Sequence, residues 1–415
     1  MKKGFIFVIF LFCFSFASAL EYGGVGLVWE EVEGNPQLEV DICPSWNCLG
    51  FADPTIAWAE DGRLLVWGSA AGENPYGPVI ARVVSLDNGK SFHFNPSERG
   101  VIEALSPDDA EAKWDRVKET VFVRWNEDFR RWDMWYLGYS ESFSVDPGFG
   151  FLSSLDEEGL EWEESGEMIY RPEKESWDFG FLTGPSVVKD DKGNWYLYYV
   201  GAGLDEGAGL LTSSDGRSWE RYFANEPIFK GERGKWDEKI VDVSVSYIDG
   251  KFLMWYSGYS GELNMETTPI SIGLAVSEDG VNFERVSDSP VVARGKKGKW
   301  NDLRVLDGDV VVEPDSSLLM AAYGNSLERA KIGSSDFKFG MTGFWRSSVG
   351  EVLNGSFNQS SDGFNDDNDG EEGGAFIWVV LFGGFVVIVI FAVKIFKWIF
   401  GGRAEETVYS YGNNV

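Results

Sequence analysis

Three acidic residues stand at corresponding places in a repeated pattern of this chain, and carboxylates are its main candidates for chemistry. The segments are Asp53-Pro-Thr-Ile, Glu119-Thr-Val-Phe and Asp242-Val-Ser-Val, and Gly184-Pro-Ser-Val and Gly308-Asp-Val-Val take the same place without an acidic first residue. A carboxylate acts as a general base when it is ionised, and as a general acid when its pKa is raised. Carboxylates that converge on one place could therefore move protons to and from a bound molecule.

Other kinds of site are excluded by what the chain lacks. His93 is the single histidine, so we expect no Ser-His-Asp or Cys-His apparatus, no metal site and no cofactor. The formal net charge of −31 argues against nucleic acid as a partner. Carboxylates among many aromatic side chains, including 18 Trp, are typical of sites that bind or hydrolyse sugars.

Two cysteines precede the first of these aspartates. In an oxidising compartment Cys43 and Cys48 would form one disulfide, which would fix the backbone ahead of Asp53. Trp46 lies between them and is a candidate for contact with a substrate.

The elements that position the carboxylates are predicted from two series of repeated segments. The first series is DGRLLVWGSA (from 61), FRRWDMWYLGYS (129), KGNWYLYYVGAG (192), DGKFLMWYSGYS (249) and DSSLLMAAYGNS (315). The second series is VVSLDNGKSF (83), FLSSLDEEGLEW (151), LLTSSDGRSWERY (210), LAVSEDGVNFERV (274) and KIGSSDFKF (331). Alternating aromatic and branched residues that end at Asp-Gly turns indicate strands, and several short strands per repeat indicate a propeller. We predict an all-β, five-bladed β-propeller over residues 20–345, in which the innermost strand of each blade faces the axis.

The N-terminal piece GLVWEEVEGNPQLEV (26–40) resembles the outer half of a blade. Its W-E-E-V and N-P-Q-L parallel W-E-R-Y and N-E-P-I at 219–228, and the fifth repeat lacks that half. We therefore expect residues 26–40 to complete the fifth blade and close the ring.

The two ends of the chain carry segments of other kinds. Residues 1–19 have the pattern of a secretory signal peptide, with two lysines ahead of an apolar run. Residues 346–374 are predicted to be an acidic flexible stalk, and 375–393 an uncharged transmembrane helix. The basic residues that follow place the tail 394–415 in the cytoplasm and the propeller outside, attached to the membrane by this single helix.

Four of the five inner strands follow a Trp-Asp or Trp-Asn-Asp sequence. These are Trp114-Asp115, Trp177-Asp178, Trp236-Asp237 and Trp300-Asn301-Asp302. Most of them are interpreted as a Trp that packs between blades and an Asp that caps a turn.

Taken together, these motifs resemble the five-bladed propeller glycosidases, namely the arabinanase and β-xylosidase family and the invertase and levansucrase family (glycosyl hydrolase families 43 and 32). The resemblance is carried by Asp53-Pro at the head of the first repeat, by G-P-S-V-V and W-Y-L-Y-Y in the third, and by repeated S-x-D-G turns. It implies that Asp53 is the general base. It also implies an Asp in the second blade that tunes the acid, and a Glu before Gly-Pro in the third blade that is the acid.

The chain departs from that pattern in two blades. Thr183 stands before Gly184-Pro185 where the family has its acid, and the second blade offers Glu119 with Asp115 before it. We therefore take Asp242, and then Asp178, as candidate acids. Glu119 or Asp178 would raise the acid's pKa, and Asp115 and Thr183 would contact the substrate.

Three functions remain open. The first is a membrane-anchored extracellular propeller that hydrolyses or binds a glycan, and the second is a surface adhesin without catalysis, as the loss of the Glu at Thr183 would suggest. The third is a sialidase, since Ser85-Leu-Asp-Asn-Gly-Lys-Ser-Phe fits the Asp-box of those enzymes. Sialidases need six blades, and the repeats predict five.

Overall fold

Five β-sheets around a common axis make up the larger part of the structure. The computed structural model describes residues 27–38, 50–71, 77–85, 87, 100–101, 105, 107, 113–140, 145–163, 166–223, 225–264, 266–328, 340–347, 377–382 and 385–390. Contacts divide the chain into two units, Met1–Gly355 and Ser356–Val415.

The strands follow the repeats of the sequence. The first is β1 (Glu30–Glu31). Blade 1 has β2 (Gly50–Trp58), β3 (Leu64–Ala71), β4 (Val79–Ser85) and β5 (Gly100–Val101). Blade 2 has β6 (Val117–Asn126), β7 (Arg131–Tyr139), β8 (Gly148–Ser154) and β9 (Glu167–Tyr170). Blade 3 has β10 (Phe181–Leu182), β11 (Ser186–Lys189), β12 (Trp195–Ala202), β13 (Glu206–Ser213) and β14 (Glu220–Arg221). Blade 4 has β15 (Lys239–Ile248), β16 (Lys251–Tyr259), β17 (Ser271–Ser277) and β18 (Glu284–Arg285). Blade 5 has β19 (Arg304–Val312), β20 (Leu318–Asn325) and β21 (Met341–Ser347).

Each blade is an antiparallel meander whose first strand lies nearest the axis. The orders are β2-β3-β4-β5, β6-β7-β8-β9 and β15-β16-β17-β18, and in blade 3 both β10 and β11 pair with β12. Second strands such as LLVWGSAA are buried on both faces, because each blade packs between two neighbours. The predicted all-β five-bladed propeller is confirmed.

The fifth blade is completed by the N-terminal strand, as predicted. Its order is β19-β20-β21-β1, with Glu30 opposite Arg346 and Glu31 opposite Trp345. The side-chain amide of Asn35 donates a hydrogen bond to the backbone carbonyl of Phe344 at 2.7 Å. The third strand of this blade is β21, which pairs with β20. The predicted β segment KIGSSDFKF (331–339) lies outside the described residues.

Side chains near the axis link neighbouring inner strands. The hydroxyl of Thr55 accepts from the Val123 amide at 3.3 Å, and that of Ser186 accepts from the Val245 amide at 2.9 Å. Asp309 of blade 5 accepts from the Ile56 amide of blade 1 at 2.8 Å. These "linking residues" (Thr55, Ser186, Asp309 and their counterparts Phe122 and Ser244) define one common register for all five inner strands.

The second unit contains two paired strands, β22 (Ile377–Phe382) and β23 (Phe385–Ile390). Among the described residues, no helix has the length and apolar character needed to span a membrane. The transmembrane helix predicted over 375–393 is thus not confirmed. The segments predicted as signal peptide and cytoplasmic tail lie outside the described residues. The predicted stalk does so too, apart from Arg346 and Ser347, which belong to β21.

Candidate active site at the heads of the inner strands

Irregular backbone marks the head of the inner strands. The pairing register shifts between Ala52 and Thr55 in β2, and between Leu306 and Asp309 in β19. Within these bulges Asp53 and Asp307 have φ angles of 48° and 54°. Left-handed backbone is tolerated by Asp better than by most residues, and a bulge turns a side chain in a new direction. The same device appears in β6, where Thr120 has a φ of 45°.

The residues two positions before the linking residues come together around a small axial cavity of about 40 Å³. They are Asp53, Thr120, Gly184, Asp242 and Asp307. Three of the five are aspartates, so the structure brings together the predicted pair Asp53 and Asp242 and adds a third carboxyl, Asp307.

The sequence alignment was wrong by one residue in two blades. The second blade presents Thr120 to the cavity rather than Glu119, and the fifth presents Asp307 rather than Gly308. The missed signal was the linking residue: Asp307-Gly-Asp309-Val parallels Asp53-Pro-Thr55-Ile once Asp309 is matched with Thr55.

Burial and mutual repulsion shift the titration of all three axial aspartates. Burial raises the pKa of Asp53 to about 6, against hydrogen bonds with Asp307 and Ser69 that lower it. Burial, and then the charge of Asp53, raise the pKa of Asp242 to about 7. Burial, together with the charges of Asp242 and Asp53, raises the pKa of Asp307 well above its usual range.

These directions assign different protonation states to neighbouring groups. Near neutral pH Asp307 is protonated and shares a hydrogen bond with an ionised Asp53, while Asp242 exchanges its proton in the same range. Oδ2 of Asp53 is buried without a hydrogen-bond partner among the described residues. The cavity therefore holds both a base and a proton donor, as acid–base catalysis requires.

A buried arginine and tyrosine accompany Asp307. Arg304 is fully buried at the start of β19, and burial lowers its pKa although Tyr323 and Asp307 lie close enough to oppose this shift. Burial raises the pKa of Tyr323 to about 12, and the charge of Arg304 lowers it. Blade 5 thus brings a cation to a group of carboxyls.

Glu119 lies beside the cavity and acts mainly on another group. It is buried, and after burial its charge is the main cause that raises the pKa of Tyr139. The charges that raise the pKa of Asp242 are those of Asp53 and Asp309. The role of Glu119 or Asp178 in tuning the acid stays a prediction.

The Trp-Asp aspartates form a different kind of site, between the strands of each blade. Asp115, Asp178 and Asp237 accept from the hydroxyls of Tyr136, Tyr199 and Tyr256 at 2.6, 2.8 and 2.9 Å. The preceding Trp rings stack on the same tyrosines, with centroids 6.0, 6.1 and 5.9 Å apart. Each carboxylate also has a cation, Lys118 at 3.5 Å, Arg221 at 3.1 Å and Arg285 at 2.6 Å. None of these aspartates lines the axial cavity, so the structure does not bring Asp115 and Asp178 to the candidate site.

A glycine in the second strand of blades 2, 3 and 4 makes room for this arrangement. A Cβ on Gly201 would lie 2.5 Å from Cβ of Asp178, closer than atoms can approach. The contacts of these residues agree with the interpretation of Trp as inter-blade packing.

Of the remaining predicted site residues, some lie in the described part of the chain and others outside it. Thr183 is half-buried next to Gly184, and its hydroxyl accepts from the Val200 amide at 3.3 Å. The candidates Trp46, Cys43 and Cys48 lie outside the described residues, so the disulfide between the two cysteines stays a prediction. Within the described residues no three carboxylate, histidine or thiol groups are arranged to hold a metal ion.

The S-x-D motifs are hairpin turns. Asp215 accepts from the amides of Ser218 at 2.7 Å and Arg217 at 2.8 Å, and these bonds hold the pKa of Asp215 well below its usual range. The same turn recurs at Asp279, where the Asn282 amide donates at 2.8 Å. Such turns together with a ring of five blades in the described chain give no support to the sialidase alternative.

Comparisons with known proteins agree on the fold. No protein-family model matches the chain, and no curated protein matches its sequence. Among solved structures, a glycosyl hydrolase from Bacteroides ovatus is 16% identical with a TM-score of 0.55, over 76% of this chain and 92% of that one. A structure from the GH130 family of mannoside phosphorylases, which contains glycoside hydrolases that target β-1,2 mannosidic linkages in Candida mannan, is 17% identical with a TM-score of 0.56, over 76% and 93%.

An α-L-arabinofuranosidase from Lactobacillus brevis is 12% identical with a TM-score of 0.51, over 74% of this chain and 91% of that one. At these identities the likeness concerns the fold, and the resemblance to five-bladed propeller glycosidases is confirmed at that level.

Proposed function

We propose that the protein is a glycoside hydrolase whose site is the axial cavity, and that it acts on a glycan. The observation that carries the proposal is the set of three aspartates at the heads of inner strands 1, 4 and 5, of which one is ionised and another protonated near neutral pH. The fold shared with glycosidases supports it.

In the proposed reaction Asp53 is the base and Asp242 is the acid. Asp53 accepts a proton from water as the water oxygen bonds to the anomeric carbon, and the protonated Asp242 gives its proton to the departing glycosidic oxygen. Asp307 stays neutral and orients Asp53 through their shared hydrogen bond. An inverting reaction of this kind needs about 6.5 to 9.5 Å between the two carboxyls, which leaves room for the water.

The adhesin alternative rests on a single position. Thr183, where the related families have their acid, cannot protonate a leaving group, so a propeller without a replacement acid would bind glycans and leave them intact. Asp242 is the proposed replacement, and its raised pKa is what a proton donor at neutral pH requires.

The proposal is tested by measuring hydrolysis of a panel of nitrophenyl furanosides and pyranosides by the purified protein. Binding to a glycan array is measured in parallel. Hydrolysis that is lost in both Asp53→Asn and Asp242→Asn supports it, and proton NMR of the first product would show the inverted anomer. Glycan binding without any hydrolysis by the wild type would favour the adhesin.

Export and membrane attachment belong to the same proposal. They rest on the apolar run at residues 4–16 behind two lysines and on the uncharged segment 375–393, followed by basic residues. Protease added to intact cells should release the propeller, while a tag at the C-terminus stays protected. A tag that is cleaved under the same conditions would overturn this topology.

A further inference from the structure

A second and larger concavity lies at the opposite ends of the inner strands. Its volume is about 1020 Å³, at the upper end of the range for small-molecule sites, roughly 300–1,000 Å³. Its walls include Trp58, Trp125, Trp195, Tyr247, Lys189 and Val312. We call it the aromatic groove.

The aromatic groove is separate from the axial cavity. On β2 five residues lead from Asp53 to Trp58, which corresponds to about 17 Å at ~3.3 Å per residue. Between them the axis is occupied by Asp309, which pairs with Arg124 at 2.7 Å and accepts from Thr55 at 2.9 Å. A ligand of the groove therefore does not touch the axial aspartates.

Four consecutive blades each present one half-buried aromatic ring to the groove. Three of these rings, Trp58, Trp125 and Tyr247, stand three positions after the linking residues of blades 1, 2 and 4, and Trp195 begins β12 of blade 3. Each ring packs on one side against the core of its blade.

Further contacts fix two of these rings. Trp58 donates its indole N–H to the Val312 carbonyl at 2.8 Å. Trp195 lies 6.1 Å from Trp135. The Lys189 ammonium lies over the Trp195 ring, 5.2 Å from its centroid. Fixed, half-buried rings offer apolar surface to the C–H face of a sugar, at little cost in side-chain entropy.

The cations of the groove are paired with carboxylates of the protein. Each of the three cations that line its described part has a carboxylate partner: Arg124 pairs with Asp309, Arg130 with Glu60 at 2.8 Å, and Lys189 with Asp128 at 2.9 Å. A ligand with phosphate, sulfate or carboxylate groups would have to compete with these pairs, in a chain whose net charge is −31. The groove thus suits a neutral ligand that is rich in hydroxyl groups.

We propose that the aromatic groove is a second binding site, for a neutral oligosaccharide, which would hold a glycan chain on the face opposite the axial cavity. The proposal does not require hydrolysis at the axial cavity.

The test uses the full-length protein carrying Asp53→Asn and isothermal titration with cellohexaose, xylohexaose and mannohexaose, with a galacturonic acid hexamer as the acidic probe. We expect at least one neutral hexasaccharide to bind, and Trp58→Ala and Trp195→Ala each to weaken it about tenfold or more. Tyr222→Ala, which removes an exposed ring outside the groove, is the matched control and should leave the affinity unchanged.

Thermal melts of every variant separate loss of a ring from loss of the fold. If Trp58→Ala lowers the Tm by more than a few degrees, Tyr247→Ala replaces it under the same requirement. Preference for the acidic hexamer, failure of all neutral probes to bind, or unchanged affinity in well-folded Trp variants would overturn the proposal. The hydrolysis panel is not involved, so the two proposals stand or fall separately.

Discussion

Two sets of aspartates in this propeller differ in what surrounds them. Asp115, Asp178 and Asp237, the Trp-Asp set, each accept from a tyrosine hydroxyl and face a cation. The axial set, Asp53, Asp242 and Asp307, face chiefly one another.

The difference lies in how the cost of a carboxylate charge is compensated. An ionised carboxylate is costly to bury unless hydrogen bonds and opposite charge compensate it. Compensation around the Trp-Asp set lets those residues hold the strands of a blade together. Along the axis compensation is weaker, and the pKa values of the aspartates lie above their usual range. The four predictions below set one group against the other.

The largest effect is expected on stability, from the Trp-Asp set. Asp178→Ala would leave Arg221 and the hydroxyls of Tyr170 and Tyr199 without their acceptor in the interior. We expect the free energy of unfolding, measured by urea denaturation, to fall by about 3–5 kcal/mol. Asp288→Ala removes a carboxylate that is 87% exposed and should change it by less than about 0.5 kcal/mol. Equal effects of the two substitutions would contradict the structural role.

A second large effect is expected on catalysis, from the axial set. Asp53→Asn keeps the shape of the side chain but removes the base, so kcat/KM should fall by at least about a hundredfold. The Tm should not fall, since no buried charge loses its partner. Asp61→Asn, at a site that is 54% exposed, is the control and should keep full activity. Full turnover in Asp53→Asn would remove it from the site.

The pH dependence of stability should report on the axial set. Below about pH 4 Asp242 is protonated in both the folded and the unfolded state. Between about pH 4 and 7 the unfolded chain releases a proton that the folded protein keeps. The free energy of unfolding therefore falls as the pH rises through this range. Asp242→Asn removes this term, and we expect its Tm to exceed that of the wild type by a few degrees at pH 8 and to match it near pH 4. Asp237→Asn should lower the Tm at pH 8. A lower Tm for Asp242→Asn at pH 8 would show that its charge is compensated.

The smallest effect is expected from Asp307. With a base of pKa about 6 and an acid of pKa about 7, kcat/KM should be highest between pH 6 and 7. Asp307→Asn replaces a protonated carboxyl by a neutral amide, so activity should fall less than about tenfold and the optimum should move by less than about one pH unit. A loss as large as that of Asp53→Asn would instead identify Asp307 as the proton donor.

Much of the fold followed from repetition in the sequence, because strand patterns at regular spacing predict blades and the missing half of the fifth blade predicts its closure by residues 26–40. The sequence predicted the candidate site only in part. Bulges at Asp53, Thr120 and Asp307 add residues that a strand pattern does not reveal, so Glu119 and Gly308 were matched one position away from the cavity. The sequence alone could not show whether Asp178 is structural or catalytic, because its role depends on contacts with Tyr199 and Arg221 from other strands.

The pairing of β1 with β21 has a consequence for how the chain folds. Asn35 and Phe344 are 309 residues apart, so their contact closes a loop that contains all the intervening blades. Closing so long a loop carries an entropic cost that earlier contacts do not offset, and folds rich in such distant contacts fold slowly. We therefore expect ring closure to be a late step, before which the edge of β21 remains open to strands of other molecules.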